Sequence, residues 1–190
     1  ISASSVPNSM EDRADLHQAF FDFDLENARL RLGHQKINLG DTRLIGSPEF
    51  GNLSRVFDAA RLTYGTDGDP WSADLFCFRP VVSDPDGFND WDDVGDRRFD
   101  SEVSGAWLRS EELVDGGETD FFWIYRNASD FDDSIHTFGF SHDRVVGSWG
   151  LTLMSAFQVG EYGGEDAGGS MVRVELARDA DIDADMLAHE

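Results

Sequence analysis

LHQAFFDFDLENARLRLGHQKINLGDTRLIGSPEFGNLSRVFDAARLTY, residues 16–64, is the stretch that decides the fold. Its first run alternates strictly, with Ala19, Phe21, Phe23 and Leu25 on one face and Gln18, Phe20, Asp22 and Asp24 on the other. Such a period of two is typical of a β-strand with one buried face. The second run also alternates, with Ala28, Leu30 and Leu32 opposed to Arg29, Arg31 and Gln35. The short polar connection Glu26-Asn27 between the runs predicts an antiparallel hairpin, with one apolar face and one face that carries aspartates and arginines.

The rest of the chain continues this pattern. A loop rich in Gly and Pro, residues 38–52, leads into a third strand of about Arg55 to Tyr64, and a fourth strand spans Trp71 to Val81. Five later strands are predicted at Glu102–Leu113, Glu118–Asn127, Ser134–His142, Gly147–Gly160 and Ser170–Ala177, with Asp143-Arg144 as the turn before Gly147. The pattern predicts an all-β, antiparallel up-and-down meander that is part or all of a transmembrane β-barrel. It divides the chain into an irregular segment (1–15), a β-domain (16–177) and an acidic tail (178–190).

Two environments suit strands with one apolar and one charged face. In a soluble sandwich the charged face meets water, whereas in a membrane barrel the apolar face meets lipid and the charged face lines a lumen. The period alone does not choose between them, because both give the same weak alternation in each strand. A soluble acidic β-sandwich or jelly roll that binds carbohydrate therefore stays open as the alternative.

Composition excludes several classes of function. The 190 residues include 38 acidic and 15 basic side chains, for a net charge of -23. Such a surface repels phosphate backbones, so no nucleic-acid partner is expected. The sequence lacks a His-Glu-x-x-His motif, a Gly-x-Ser-x-Gly elbow and a P-loop, and its single cysteine is Cys77. We therefore predict no catalytic residue and no cofactor, and a glycan-degrading enzyme is the least favoured interpretation.

The amino-acid sequences of several segments resemble those of the alginate-export family of Gram-negative outer-membrane proteins. The resemblance rests on ARLRLGHQKINLGDTRLIG, NLSRVFDAARLTYG, WSADLFCFRPV and HTFGFSHDRVVGSWGLTLMSAFQVGEYG. It implies a monomeric barrel in the outer membrane, in contact with lipid, that passes an anionic polysaccharide or related solute through an arginine-lined lumen. Family barrels are longer, so the chain resembles their N-terminal half, and a truncated half-barrel is the corresponding expectation.

Eight residues are candidates for a solute conduit. Arg29, Arg31, Arg61 and Arg79 are predicted to line the lumen, since a planar guanidinium suits the carboxylates of a uronic-acid chain. Asp22 and Asp24 beside them would keep an anion from binding too tightly, and Arg43 and Arg55 at the loop edges would form a vestibule. The competing interpretation is that these charges are cross-strand ion pairs that fix the register of the strands.

Two further groups have structural alternatives. The side chains of Trp71, Trp107, Trp123, Tyr125 and Trp149 fit either aromatic girdles at a membrane surface or core and sugar-stacking positions. In the acidic loop, Asp84, Asp86 and Asp90 are weak calcium candidates because carboxylates suit that ion, although the spacing and closing Glu of an EF-hand are missing. No metal site is otherwise predicted.

Overall fold

A computed structural model describes residues 17–47, 55–65, 69–81, 101–114, 116–128 and 132–178. Within these ranges the chain forms nine strands. They are β1 (Ala19–Asp24), β2 (Ala28–Gln35), β3 (Phe57–Tyr64), β4 (Trp71–Pro80), β5 (Glu102–Ser110), β6 (Gly117–Ala128), β7 (Asp133–Val146), β8 (Trp149–Tyr162) and β9 (Glu165–Arg178). The predicted irregular segment and most of the acidic tail lie outside the described residues.

All described strands belong to one antiparallel sheet, in which each strand pairs with its neighbours in sequence. The predicted first hairpin is confirmed, since Asp22 lies opposite Arg31 and Phe23 lies opposite Leu30. The all-β, up-and-down prediction is therefore confirmed. Because the described residues form a single sheet, they do not form the two-layered sandwich of the alternative interpretation.

Two predicted boundaries were wrong. Asp143 and Arg144 do not form a turn but continue β7, where they pair with Thr152 and Leu151. The chain reverses instead at Gly147, whose φ of 63° a glycine adopts without strain. At the other end of this region, β9 begins at Glu165 rather than Ser170, because a tight turn at Gly163-Gly164 precedes it.

The sheet has two ends that differ in their connections. At the turn end, short connections join β1–β2, β3–β4, β5–β6 and β7–β8. The loop end holds the long connections β2–β3 and β4–β5, together with the short ones β6–β7 and β8–β9. Strands lengthen from 6 residues in β1 to 14 in β9. Most of the added length lies at the turn end. Asp24, the last residue of β1, aligns through successive strand pairs with Gly139 of β7, and β7 continues beyond Gly139 to Val146. A progressive stagger of this kind accompanies tilted strands in barrels.

One face of the sheet, called the outer face here, is apolar and exposed. On β8 it carries Trp149, Leu151, Leu153, Ser155, Phe157 and Val159. This uncharged stripe covers ten residue steps, about 33 Å along the strand and about 25 Å in height at a tilt of about 40°. On β9 the same face carries Val172, Val174 and Leu176, which are 71%, 63% and 65% exposed. The height and the exposure both match the lipid-facing band of a membrane barrel.

Aromatic side chains border this band. At the turn end, Trp71 and Trp149 lie at strand termini, and the guanidinium of Arg178 lies 5.7 Å from the ring centroid of Trp149. Towards the loop end, the Tyr125 ring stacks on His136 at 4.6 Å, and Trp123 donates its indole N–H to Nδ1 of His136. Trp107 does not belong to either border. It is 4% exposed on the opposite face, where it stacks on Phe122.

The opposite face, called the inner face, contains the hydrophobic core. A buried cluster joins Phe57, Phe76, Phe78, Trp107, Phe122, Ile124, Met154 and Ala156 with Ile37, Leu39 and Ile45 from the β2–β3 connection. In a flat sheet β3 and β8 would be about 24 Å apart, five strand spacings of about 4.8 Å. The connection that follows β2 brings Asp41 to within 2.5 Å of Arg173 on β9, which in a flat sheet would lie further from β2 than that, so the sheet curls around this connection, with the inner face on the concave side.

Candidate functional site

Three of the predicted conduit arginines converge on one cleft at the turn end of the inner face. The cleft has a volume of about 540 Å³ and is bordered by Arg29, Arg31 and Arg61, together with Asp24 and Thr63. The residues meet because each occupies the same side of its alternating strand, and Arg31 lies directly opposite Arg61 across β2 and β3. The predicted conduit residues Arg29, Arg31, Arg61, Asp22 and Asp24 are thus neighbours on one face.

Each of these guanidinium groups already holds a carboxylate. Arg31 binds Asp22 through two parallel contacts of 2.7 Å, and its guanidinium also lies 3.8 Å from the ring centroid of Phe20. Arg29 donates to Asp24 at 2.6 Å, and Arg61 donates to Asp74 at 2.7 Å. Thr63 donates its hydroxyl to the same oxygen of Asp74, at 2.6 Å. The arginines are therefore held in place by paired acids, as the interpretation in terms of cross-strand ion pairs also expects.

The charged row continues across the sheet. On β5, Arg109 lies 3.0 Å from Asp120 and 3.2 Å from Glu118. Asp120 is 2% exposed, which makes it the most deeply buried acid of the row. Further along, Asp143 accepts a hydrogen bond from Thr152. Because these four arginines face six acids, the row forms a mixed polar band with an excess of acid rather than a purely basic lining.

Arg79 does not lie with the other predicted conduit residues. It follows Leu75 and Cys77 on the exposed side of β4, whereas Phe76 and Phe78 point into the core. Its guanidinium binds Glu102 of β5 on the outer face. Nearby on that face, His34 contacts Asp58 at 2.9 Å. The prediction that Arg79 lines the lumen was wrong. Arg79 alternates with the core residues of β4 and therefore lies on the same side as Leu75 and Cys77, the outer face.

The β2–β3 connection enters the concave side of the sheet. Residues 36–47, called the inserted segment here, form a small hairpin in which Leu39 and Ile45 pair. Gly40 and Thr42 at its tip have φ values of 55° and 64°. A Cβ at Gly40 would lie 2.5 Å from Cζ2 of Trp107, so only glycine lets the tip approach the indole this closely. The Gly-Asp-x-Arg-Leu motif of the sequence forms the tip of this hairpin.

Ionic contacts fix the tip to the last strand. Arg173 on β9 donates to Asp41 at 2.5 Å, and it also binds Glu175 on the same strand. Arg43 lies 3.1 Å from Asp41 and 3.7 Å from Glu175. The predicted vestibule residue Arg43 is therefore part of a network between the segment and the sheet. The sequence analysis did not identify Asp41, Arg173 and Glu175 as site residues. Arg173 and Glu175 are nevertheless visible in the sequence as two charged residues on one face of the alternating pattern of β9.

The remaining candidates are separate from this network. Arg55 is exposed and lies just before β3, towards the loop end. The calcium candidates Asp84, Asp86 and Asp90 lie outside the described residues. Among the residues that the structure does describe, no three His, Cys, Asp or Glu side chains are close enough together to hold a metal ion. Within the same ranges there is no helix of the length and hydropathy needed to cross a bilayer.

The comparison with known families agrees with this arrangement. The sequence pattern described as alginate export matches residues 2–176. The chain belongs to the alginate export family. Alginate export proteins are β-barrels of the outer membrane, and the family acts in polysaccharide transport rather than in enzymatic catalysis. Searches of the curated proteins and of the solved structures gave no match.

Both faces of the sheet are compatible with membership of the alginate export family. The exposed apolar band on the outer face suits a wall in contact with lipid, and the polar band on the inner face suits the lumen side of that wall. The curled sheet of nine described strands corresponds to part of such a barrel.

Proposed function

We propose that this chain forms wall and lumen lining of an outer-membrane channel, through which an anionic polysaccharide or a related solute passes without chemical change. The observation that carries the proposal is the contrast between the two faces. An uncharged stripe of about 25 Å in height lies on the outer face of β8, as a bilayer requires, and ion-paired arginines lie on the inner face of β2 and β3.

Arginines that are already paired with acids favour the passage of an anionic solute over its retention. A solute carboxylate can bind Arg31 or Arg61 only by replacing Asp22 or Asp74, so its net gain in free energy is the small difference between two similar contacts. Conduction needs sites that attract a solute and then release it. The cleft between Arg29, Arg31 and Arg61 would therefore serve as a step along the path rather than as a storage site.

The inserted segment is the obstacle on this path. Its apolar residues share one buried cluster with core residues of five strands, and its tip is held by Arg173. A polyanion offers carboxylates that compete with Asp41 for that guanidinium. In this proposal the seated segment narrows the lumen, and its displacement widens it.

The proposal is tested by reconstituting the chain in planar bilayers and recording ion current while trigalacturonate is added. We expect a current that the trimer blocks, and about tenfold weaker block in the double variant Arg31→Gln/Arg61→Gln, which corresponds to about 1.4 kcal/mol. Arg79→Gln is the matched control, because this arginine lies on the outer face. The trimer should block the current of this variant as strongly as that of the wild type. A chain that is folded and monomeric in plain buffer, with no current in bilayers, would contradict the proposal and favour a soluble carbohydrate-binding protein.

A further inference from the structure

The charged side chains of the outer face differ between its two ends. Near the loop end the strands place four acids on this face, Asp58, Glu102, Glu161 and Asp166. At the turn end the outer face of the described strands carries no Asp or Glu, and its arginines are Arg144 on β7 and Arg178 on β9. In a protein with a net charge of -23, one end of this apolar surface is therefore basic.

The two arginines of the turn end are available to a ligand. Neither Arg144 nor Arg178 makes an ion pair with an acid in the described ranges of the chain. The Arg144 side chain extends towards the turn end, since a Cβ built at Gly116 would lie 3.3 Å from its Nε. Arg178 lies beside Trp149 on β8, the strand between the two arginines. A tryptophan next to cations is typical of the level at which lipid headgroups begin.

The strand register brings both arginines within reach of one anion. Arg144 pairs with Leu151, and Leu151 pairs with Leu176, which comes two residues before Arg178. The Cα atoms of the two arginines are therefore about 10 Å apart across the strands and about 7 Å apart along them. Their long side chains can meet at a phosphodiester above Leu151, where each guanidinium can donate to a phosphate oxygen.

A furrow on the same face suits an acyl chain. The small residues Ala106 and Ser155 lie opposite the rings of Trp123 and Phe140 on neighbouring strands. They leave a furrow of about 620 Å³ with a mostly aromatic and aliphatic border. Phe140 lies four residues from Arg144 on the outer face of β7, about 13 Å along the strand. An acyl chain whose glycerol lies at the level of Arg144 reaches this furrow.

We propose that Arg144 and Arg178 bind the phosphodiester of one phosphatidylglycerol molecule, whose acyl chain lies in the furrow. The inference rests on the proposed function in one respect, since the outer face must meet lipid. An ammonium headgroup would lie beside two cations, with no acid on this face at the turn end, so an anionic headgroup is favoured over a zwitterionic one. A free phosphate would leave the furrow empty. Because short connections of outer-membrane barrels are periplasmic, the site belongs to the periplasmic leaflet.

The test is native mass spectrometry of the full chain, released from detergent micelles that contain equal amounts of phosphatidylglycerol and phosphatidylcholine. We expect the wild type to retain one phosphatidylglycerol, bound at least tenfold more tightly than phosphatidylcholine. In the double variant Arg144→Gln/Arg178→Gln this preference should fall to about twofold or less, and in each single variant to about threefold. The difference in gel migration between unboiled and boiled samples checks that each variant is folded, and the single variants decide if the double variant does not fold.

Arg79→Gln is the matched control. Arg79 is also an arginine of the outer face, but it lies towards the loop end and binds Glu102. This variant should keep the wild-type preference for phosphatidylglycerol. An equal loss of preference in Arg79→Gln would show a general effect of charge and would overturn the site.

Three further results would overturn the lipid site. They are equal retention of the two lipids by the wild type, an unchanged preference in the arginine variants, and displacement of the lipid by an equal concentration of glycerophosphoglycerol, the headgroup without acyl chains. Current recordings in phosphatidylcholine bilayers separate the site from the proposed function. A current without any preference for phosphatidylglycerol contradicts the lipid site and leaves the channel in place. A preference that depends on Arg144 and Arg178, without any current, supports the lipid site and contradicts the channel.

Discussion

The guanidinium of Arg173 lies 2.5 Å from the carboxylate of Asp41, and this contact joins the last described strand to a hairpin tip 132 positions earlier in the chain. Arg173 is the basic partner that holds the tip of the inserted segment against β9, and Glu175 keeps the guanidinium in place.

Breaking this contact should loosen the segment and leave the sheet intact. In Arg173→Gln we expect amide hydrogen exchange in residues 37–45 to become severalfold faster, while exchange in β6 and β7 stays as in the wild type. Arg178→Gln, on the outer face of the same strand, is the control and should leave the segment unchanged. Equal exchange in the segment for wild type and Arg173→Gln would show that the apolar contacts alone hold it.

The close approach of Gly40 to Trp107 predicts a large effect of one methyl group. Gly40→Ala adds a Cβ 2.5 Å from the indole at a positive φ, whereas Gly164→Ala adds one in open space at a similar φ of 79°. Both variants bear the left-handed backbone cost of about 1–2 kcal/mol. Only Gly40→Ala should lose about 1–3 kcal/mol more from overpacking. Unfolding in urea, followed by tryptophan fluorescence in detergent, measures the difference, and equal stability of the two variants would contradict the contact.

Two acids share Arg109 but should contribute unequally to stability. Asp120 has a side chain that is 3% exposed, while that of Glu118 is 37% exposed. Breaking a fully buried pair costs about 3–5 kcal/mol, but Arg109 reaches solvent, so we expect about 2 kcal/mol for Asp120→Asn. Glu118→Gln should cost less than about 1 kcal/mol. The free energies of unfolding of the two variants check this order, and a reversed order would place the main partner of Arg109 at Glu118.

Substitutions at two neighbouring residues of β8 test the two faces of the sheet independently. Leu153 lies in the middle of the outer stripe, and Thr152 lies on the inner face beside Asp143. In lipid vesicles Leu153→Arg should reduce folding stability by about 2–4 kcal/mol. Thr152→Arg should cost little, since Asp143 can bind the new guanidinium. The fraction that folds in vesicles, read from the difference in gel migration between unboiled and boiled samples, measures both. Equal tolerance of the two substitutions would mean that the outer face does not meet lipid.

Strict alternation made the first hairpin predictable from the sequence. The alternation around Phe21 and Phe23 on β1 excludes a slip of one residue, which would swap the faces, and the short connection Glu26-Asn27 then sets the register in which Asp22 lies opposite Arg31. The same rule would have placed Arg79 correctly, because it shares its parity with Leu75 and Cys77. The start of β9 was less readable, since Gly164, Gly168 and Gly169 have the composition of a loop.

The inserted segment could not be predicted in the same way. Its apolar residues Ile37, Leu39 and Ile45 show no strand or helix period, and they share their buried cluster with Met154 and Ala156, more than a hundred positions away. Local pattern carries no information about such distant contacts. Whether an arginine pairs with an acid among the described residues is also a property of the folded chain, and it separates Arg55 from Arg61.

The contact between Asp41 and Arg173 also sets an order of events during folding. The segment lies early in the chain, but its ionic partner is supplied by β9, the last described strand in sequence. Loop closure over such a sequence separation is slow compared with formation of a hairpin. We therefore expect the local hairpins to form first and the hairpin tip to dock late, once β9 has joined the sheet.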